Sequence, residues 1–157
     1  MPLKLMDGSK RGSRWGKPGR VFRHRGGSLL EAAIVLPVLL YLAFGTVEFG
    51  YYFYVKHSCE GAAREGARAA IVSGSAYSDV TTAVSTSMSA CNLSSSGYTV
   101  TVQDAGTTVT NLSSAATGDA MTVTISVNWS TVGSAYMAFN FIGSSKVITG
   151  VAVMRHE

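Results

Sequence analysis

Residues 32–55, AAIVLPVLLYLAFGTVEFGYYFYV, form an apolar stretch in which Glu48 is the only charged side chain. These 24 residues exceed the roughly 20 that a helix needs to cross a hydrocarbon core of about 30 Å. Only 14% of the chain is charged, compared with about 25% in soluble domains. The stretch is therefore predicted to be a transmembrane helix, and the chain is not predicted to be an ordinary soluble domain.

The basic residues are concentrated before this stretch. Residues 1–26 hold eight Lys or Arg and one acid, a net charge of +7, whereas residues 27–157 hold five basic residues and eight acids, a net charge of −3. Because Lys and Arg are enriched on the cytoplasmic side of membrane spans, the N-terminus is predicted to stay in the cytoplasm and the C-terminal body to be exported. The overall charge of +4 therefore does not indicate a nucleic-acid partner.

A secretory signal peptide is the first alternative, because it too is basic and then apolar. Its apolar region has about 7 to 15 residues and ends at a cleavage site with small residues. Here the apolar run is longer and continues into a helical pattern at residues 59–70. We therefore expect three segments: a basic leader (1–26), a transmembrane helix with its extension (27–72) and an exported domain (73–157).

The junction between leader and span places an acid close to a possible new N-terminus. It reads RGGSLLE over residues 25–31. A carboxylate within the hydrocarbon costs about 3 kcal/mol, so a functional partner is expected for Glu31. Cleavage after Gly26 would create an α-amino group on Gly27, about one helical turn from Glu31. We expect the Glu31 carboxylate to pair with that amine or with the amine of a neighbouring subunit.

Three blocks of the chain resemble TadE-like pseudopilins of tight-adherence (Tad/Flp) pilus systems. They are GGSLLEAAIVLP at residues 26–37, FGTVEFG at residues 44–50 and AAREGARAA at residues 62–70, and the final AVMRHE is similar to the ends of such chains. The resemblance implies a class III signal cleaved by a prepilin peptidase, which is a membrane aspartic protease. Gly26 would precede the cut and Glu31 would be the fifth mature residue. A cut after Gly27 would make Glu31 the fourth, so the spacing favours Gly26.

The resemblance also implies a role and a location. The chain would be a structural subunit in the bacterial inner membrane, and its partners would be the prepilin peptidase, other pilins or pseudopilins and Tad secretion components. It would be a minor pilin or pseudopilin for a pilus used in adhesion, either within the surface pilus or remaining in the membrane. The alternative is an unprocessed single-pass scaffold protein of a type IV pilus or type II secretion machine.

Several side chains of the span suggest anchoring and packing. Glu31 and Glu48 are 17 residues apart, about 25 Å along a helix, which places them near opposite boundaries of the hydrocarbon. Two interpretations of Glu48 stay open: its side chain extends to the outer interface, or it binds another pilin. Pro37 is predicted to kink the helix because it removes a backbone hydrogen bond. An interfacial aromatic belt is predicted at the outer end, formed by Tyr51, Tyr52 and Tyr54.

The exported part is predicted to be α+β and pilin-like, with a second helix and a small antiparallel sheet. The first helix should end at residues 73–75, and Ser78 and Asp79 offer an N-cap for the second. Alternation of apolar and polar residues predicts strands near residues 98–103 and 121–129. A third strand, residues 147–154, is apolar at most positions and is expected to be central or covered. Between the last two strands lies an apolar loop that we expect to cover the core, with a surface for a partner as the alternative: Tyr136, Met137, Phe139, Phe141 and Ile142.

Two cysteines complete the candidate sites. The second helix should place Cys91 on its inward face, with Val80, Val84 and Met88. Cys59 and Cys91 are then a candidate disulfide in an oxidising compartment, although two free buried thiols are the alternative. No CxxC motif is present, the three histidines are scattered, and no catalytic motif is found. We therefore expect no metal, no cofactor, no small-molecule substrate and no enzyme activity.

Overall fold

A computed structural model describes residues 27–112, 115–136 and 140–156. The leader, including Gly26, lies outside the described residues, as do Met137 and Phe139. The chain begins with helix α1, Gly27–Ala70, whose 44 residues form a spine about 66 Å long. Gly74, with a φ of 80°, lies in the turn that follows α1. The predicted long helix and its end point are confirmed.

Helix α1 changes character along its length. Residues 27–44 are all exposed, although most of them are apolar. From Val55 onward, one face is buried in the core, mostly through small side chains. A Cβ atom on Gly66 would lie 2.7 Å from Cγ2 of Val84, which shows how closely the next helix approaches. This face of small residues is thus the one on which the rest of the molecule packs.

The second helix, α2, spans Tyr77–Ala90 and buries Val80, Val84 and Met88, as predicted. The predicted N-cap at Ser78 or Asp79 is wrong, because the cap is Ala76. The Asp79 carboxylate instead lies three residues inside the N-terminal end and accepts a 2.9 Å hydrogen bond from the backbone N–H of Ala76. The same acid therefore stabilises the helix start from its first turn.

Four antiparallel strands form one sheet in the order β2-β1-β3-β4. The elements are β1, Thr99–Asp104; β2, Thr107–Thr108; β3, Ala120–Asn128; a short helix α3, Trp129–Val132; and β4, Val147–Arg155. The sheet lies against α1 and α2 and buries alternate residues: Val102, Met121, Val123, Ile125, Val127, Ile148 and Ala152. The predicted α+β fold with a small antiparallel sheet is confirmed.

Two details of the sheet differ from prediction. Trp129 was expected to extend the second strand but begins α3, where it is still fully buried. Strand β4 was expected to be central or covered, yet it is an edge strand. Its inward residues pack on α1, whereas Val151 and Val153 on its outer face are 52% and 60% exposed. Alternation shows which residues share a face, but it does not determine the order of strands in a sheet.

Strand β4 runs in the same direction as α1. Gly150 lies against the backbone of Cys59, and Ala152, two residues on, pairs with Val123, which in turn lies near Gly66. The strand therefore begins close to the outer end of the apolar stretch and extends away from it. The loop that precedes β4 consequently lies at the end of the domain nearest the exposed part of α1.

Candidate functional site

The processing residues lie at the exposed end of α1. Gly27 begins the helix and Glu31 follows one turn later, and both are exposed. Gly26 lies outside the described residues. The four-residue spacing places Gly27 and Glu31 on one face of the helix, so an amine on Gly27 and the Glu31 carboxyl group could approach each other. The cleavage site and the pairing of Glu31 stay predictions.

Helix α1 is the one helix among the described residues that is long and apolar enough to cross a membrane. Its exposed residues 27–44 account for about 27 Å of length. Pro37 lies inside this part and does not interrupt the helix. The predicted kink at Pro37 stays a prediction.

Glu48 is fully buried within its own chain. The backbone N–H of Ile142 donates a 3.1 Å hydrogen bond to Oε1 of Glu48. The second oxygen, Oε2, is buried and has no hydrogen-bond partner in the described parts of the chain. The Glu48 side chain therefore does not extend outward from α1 in the isolated chain, because a loop 94 residues later binds its carboxyl group. Its binding of another pilin stays a prediction.

Phe141, the residue before Ile142 in the loop, packs against α1 at Gly45, about one helical turn before Glu48. Its ring meets the ring of Tyr41 edge-on at 4.5 Å between centroids and lies 6.4 Å from the ring of Phe49. A Cβ atom on Gly45 would lie 3.4 Å from the Phe141 ring, so glycine at that position lets the aromatic ring approach the helix closely. We call the hydrogen bond to Glu48 and these ring contacts the 141–142 clasp.

The clasp partly confirms the predicted role of the apolar loop. Ile142 packs against the core cluster, as expected. Tyr136, however, is 41% exposed and stacks on Tyr51 with 4.1 Å between ring centroids. Phe141 covers the outer part of the apolar stretch of α1 and is not among the side chains that pack on the core. The described part of the loop thus covers the helix more than the core.

The tyrosines of the predicted aromatic belt also contact the α+β domain. Tyr51 and Tyr52 are half-buried, and the Tyr52 ring packs edge-on against Trp129 at 5.5 Å. The hydroxyl of Tyr54 donates a 2.8 Å hydrogen bond to the backbone carbonyl of Cys91. The belt was predicted at the point where α1 leaves the membrane. In the structure it joins the helix to the domain.

Cys59 and Cys91 lie beyond the apolar stretch, and both thiols are free. Cys59 is buried beside β4, whereas Cys91 is half-buried at the C-cap of α2. Burial raises the pKa of the Cys59 thiol to about 11, and the neighbouring Cys91 thiol adds to the increase. Their disulfide stays a prediction.

No metal or catalytic constellation emerges from the described residues, in which no group of three His, Cys, Asp or Glu side chains could hold an ion. The sequence indicates Phe141 and Ile142 as part of an apolar loop, but it does not indicate their contacts with Gly45 and Glu48 on α1. Gly45 was noted only as part of the FGTVEFG block. Nothing local to position 45 or 48 indicates a contact with residues almost a hundred positions away.

The family model described as TadE-like protein matches residues 26–68 of the chain. The resemblance seen in the sequence is confirmed over this segment, which runs from the residue before the predicted cut through most of α1. It includes Glu31, Gly45 and Glu48. No curated protein and no solved structure matches the chain.

Proposed function

We propose that this chain, which is TadE-like over residues 26–68 and thereby associated with tight-adherence pili, is a membrane-inserted pseudopilin that serves in assembly of the pilus. The N-terminus lies in the cytoplasm, α1 crosses the inner membrane, and the α+β domain is exported. The prepilin peptidase removes residues 1–26. The mature subunit then joins other pilins or pseudopilins under the control of the Tad secretion components.

The observation that carries the proposal is the bare first part of α1. Residues 27–44 form a helix with large exposed apolar side chains, whereas the second part of the same helix is the centre of the folded domain. Such a surface is unstable in water and needs either lipid or neighbouring helices around it. A pilin-like subunit uses both in turn, first lipid and then its neighbours.

Glu31 is the residue through which processing would act on assembly. It is exposed on α1, and no side-chain hydrogen bond or salt bridge of Glu31 is seen among the described residues. Before cleavage, it lacks the amine that cleavage would create. After cleavage, the amine of its own chain would lower the cost of the Glu31 carboxylate in the hydrocarbon. The amine of a neighbour would instead favour a helical bundle, because the pair would then form between two subunits.

The test uses cells that assemble Tad pili and carry Gly26→Ala in this chain. Gly50→Ala is the matched control, because a Cβ atom at Gly50 meets nothing within 4 Å. We expect the Gly26 variant to stay in the membrane fraction with its leader, and pilus yield in the sheared fraction to fall at least tenfold. The control should be processed and should support pili. Normal pilus yield with the uncleaved Gly26 variant would contradict the proposal.

The same fractions distinguish the alternative, an unprocessed single-pass scaffold. A scaffold would support pili with its leader intact and would be absent from sheared filaments. A subunit that joins the pilus would be present in them in its mature form. Retention of a cleaved chain in the membrane would indicate a pseudopilin that starts or supports assembly without becoming part of the surface filament.

A further inference from the structure

The 141–142 clasp lies at the depth of the apolar stretch. If Glu31 marks the inner boundary of the hydrocarbon, Tyr41 is about 15 Å and Phe49 about 27 Å further along α1. A hydrocarbon core is about 30 Å thick. The ring of Phe141, which lies between these two residues, would therefore be inside the outer half of the membrane.

Beside the clasp is an open apolar groove of about 500 Å³. Leu42, Phe49 and Phe141 are among the side chains that form its walls. Leu42 is 62% exposed and is followed toward the N-terminus by the bare surface of α1. The groove is thus continuous with the surface that the proposed membrane insertion places in lipid.

The polar groups of the clasp suit an environment without water. A backbone N–H group and a carboxyl group are both costly in hydrocarbon unless they are paired. Here the N–H of Ile142 donates to Glu48, and the Glu48 side chain is fully buried beneath the loop. This pair keeps the Ile142 N–H and Oε1 of Glu48 away from acyl chains where the loop approaches α1. The second oxygen, Oε2, is also buried but has no hydrogen-bond partner among the described residues.

The remaining groups of the groove favour lipid over a second helix. Close packing of membrane helices uses small residues and interhelical hydrogen bonds. Gly45 is already covered by the Phe141 ring. The hydroxyl of Thr46 donates to the carbonyl of Leu42 in its own helix, at 2.9 Å. Gly50 also lines the groove and is uncovered, so it is the one small residue there that a partner helix could approach. The other contacts that the groove offers are apolar, and acyl chains supply these equally well.

We propose that the 141–142 clasp seats the exported domain in the outer leaflet, with acyl chains filling the groove beside Phe141. This inference rests on the membrane insertion proposed above. In this arrangement Tyr136, stacked on Tyr51 about 30 Å from Glu31 along α1, lies at the outer boundary. The domain is then held against the membrane at a fixed height and is not free to swing above it.

Tryptophan quenching by brominated lipids measures this depth. The full chain with Trp15→Phe is reconstituted in phosphatidylcholine vesicles with bromine at mid-chain or near the headgroup. Single variants are Phe141→Trp, Tyr136→Trp, Leu36→Trp on the bare helix, and Thr107→Trp in β2. Thr107 is exposed and pairs with Asp104, at the end of the sheet away from the clasp. The Trp15→Phe chain without a further substitution gives the fluorescence of the buried Trp129, which is the same in all variants.

We expect mid-chain bromine to quench Phe141→Trp and Leu36→Trp at least twofold more than Thr107→Trp. Bromine near the headgroup should quench Tyr136→Trp most, and this variant keeps the test valid if a tryptophan at position 141 disturbs the clasp. Quenching of Leu36→Trp alone would overturn the seating but leave membrane insertion standing. Quenching of none of the variants would overturn both.

A second copy as the occupant of the groove is a further outcome. Quenching of Phe141→Trp would then fall as the ratio of protein to lipid rises, while quenching of Leu36→Trp would stay high. That result would overturn the lipid assignment. Equal quenching of Phe141→Trp at low and high ratios would support it.

Discussion

Glu48 shows how the meaning of a single residue depends on distant parts of the chain. In the sequence it is one acid in an apolar stretch, and its spacing from Glu31 suggests a position at the outer boundary. In the structure it is buried and accepts a hydrogen bond from Ile142. The same charge pattern therefore supports an intramolecular contact, and only the fold of the loop before β4 reveals it.

Replacing Glu48 tests this contact. Glu48→Ala leaves the Ile142 N–H without an acceptor, which costs about 1–3 kcal/mol for a buried group. Glu48→Gln keeps a carbonyl oxygen at the Oε1 position and is the matched control. We expect hydrogen exchange at the Ile142 amide to accelerate at least tenfold in the alanine variant and much less in the glutamine variant. Unchanged exchange in Glu48→Ala would show that the bond does not hold the loop.

The two thiols should differ in reactivity when the protein is reduced. Only the thiolate reacts, and burial raises the pKa of Cys59 to about 11. Near pH 8, Cys59 is thus almost entirely protonated as well as buried, whereas Cys91 is half-buried. Raising the pH toward the Cys59 pKa should increase its reactivity. We expect iodoacetamide to modify Cys91 at least tenfold faster than Cys59 near pH 8, measured by peptide mass spectrometry.

Unfolding in urea provides the control for this prediction, because both thiols should then react at similar rates. Equal rates in the folded protein would contradict the burial of Cys59. Protein isolated from the oxidising compartment without reductant tests the predicted disulfide separately. If the bridge is present, neither cysteine is modified until reductant is added.

At the scale of elements, the sequence predicts what depends on local periodicity. Helix α1, the buried face of α2 and the alternation of β1 and β3 agree with the structure. Strand order and loop placement depend on contacts between distant segments. The edge position of β4 and the clasp on α1 could not be read from any single stretch for that reason.

Close packing between α1 and α2 gives a prediction at this scale. A Cβ atom on Gly66 would lie 2.7 Å from Val84, whereas a Cβ atom on Gly61 of the same helix meets nothing within 4 Å. Gly66→Ala should therefore destabilise the domain by about 1–3 kcal/mol through overpacking. Gly61→Ala should be neutral or stabilising by up to about 1 kcal/mol, because alanine favours helix.

Thermal unfolding checks this prediction. The two variants are heated in detergent micelles, and the loss of structure is measured by circular dichroism. The Gly66→Ala midpoint should be lower than that of the unmodified chain, and the Gly61→Ala midpoint should not be. A Gly66→Ala midpoint equal to that of the unmodified chain would show that α1 and α2 separate without cost. The packing described for the core would then be incorrect.

At the scale of the whole molecule, α1 is one continuous helix whose two parts differ in their surroundings. Its first part is bare and apolar, and its second part is the core of an α+β domain. The net charge follows the same division, because the +7 leader precedes a body of −3. Removal of the leader would leave a mildly acidic exported protein with an apolar tail, which agrees with a TadE-like subunit assembled from the membrane.

The central claim is that this chain is processed as a pseudopilin, and the mass of its N-terminal peptide tests that claim most directly. The chain is isolated from cells with an active prepilin peptidase and from otherwise identical cells without it. We expect a peptide beginning at Gly27 in the first cells and a chain retaining residues 1–26 in the second. A chain that keeps its leader in both would show that it is not processed as a pseudopilin.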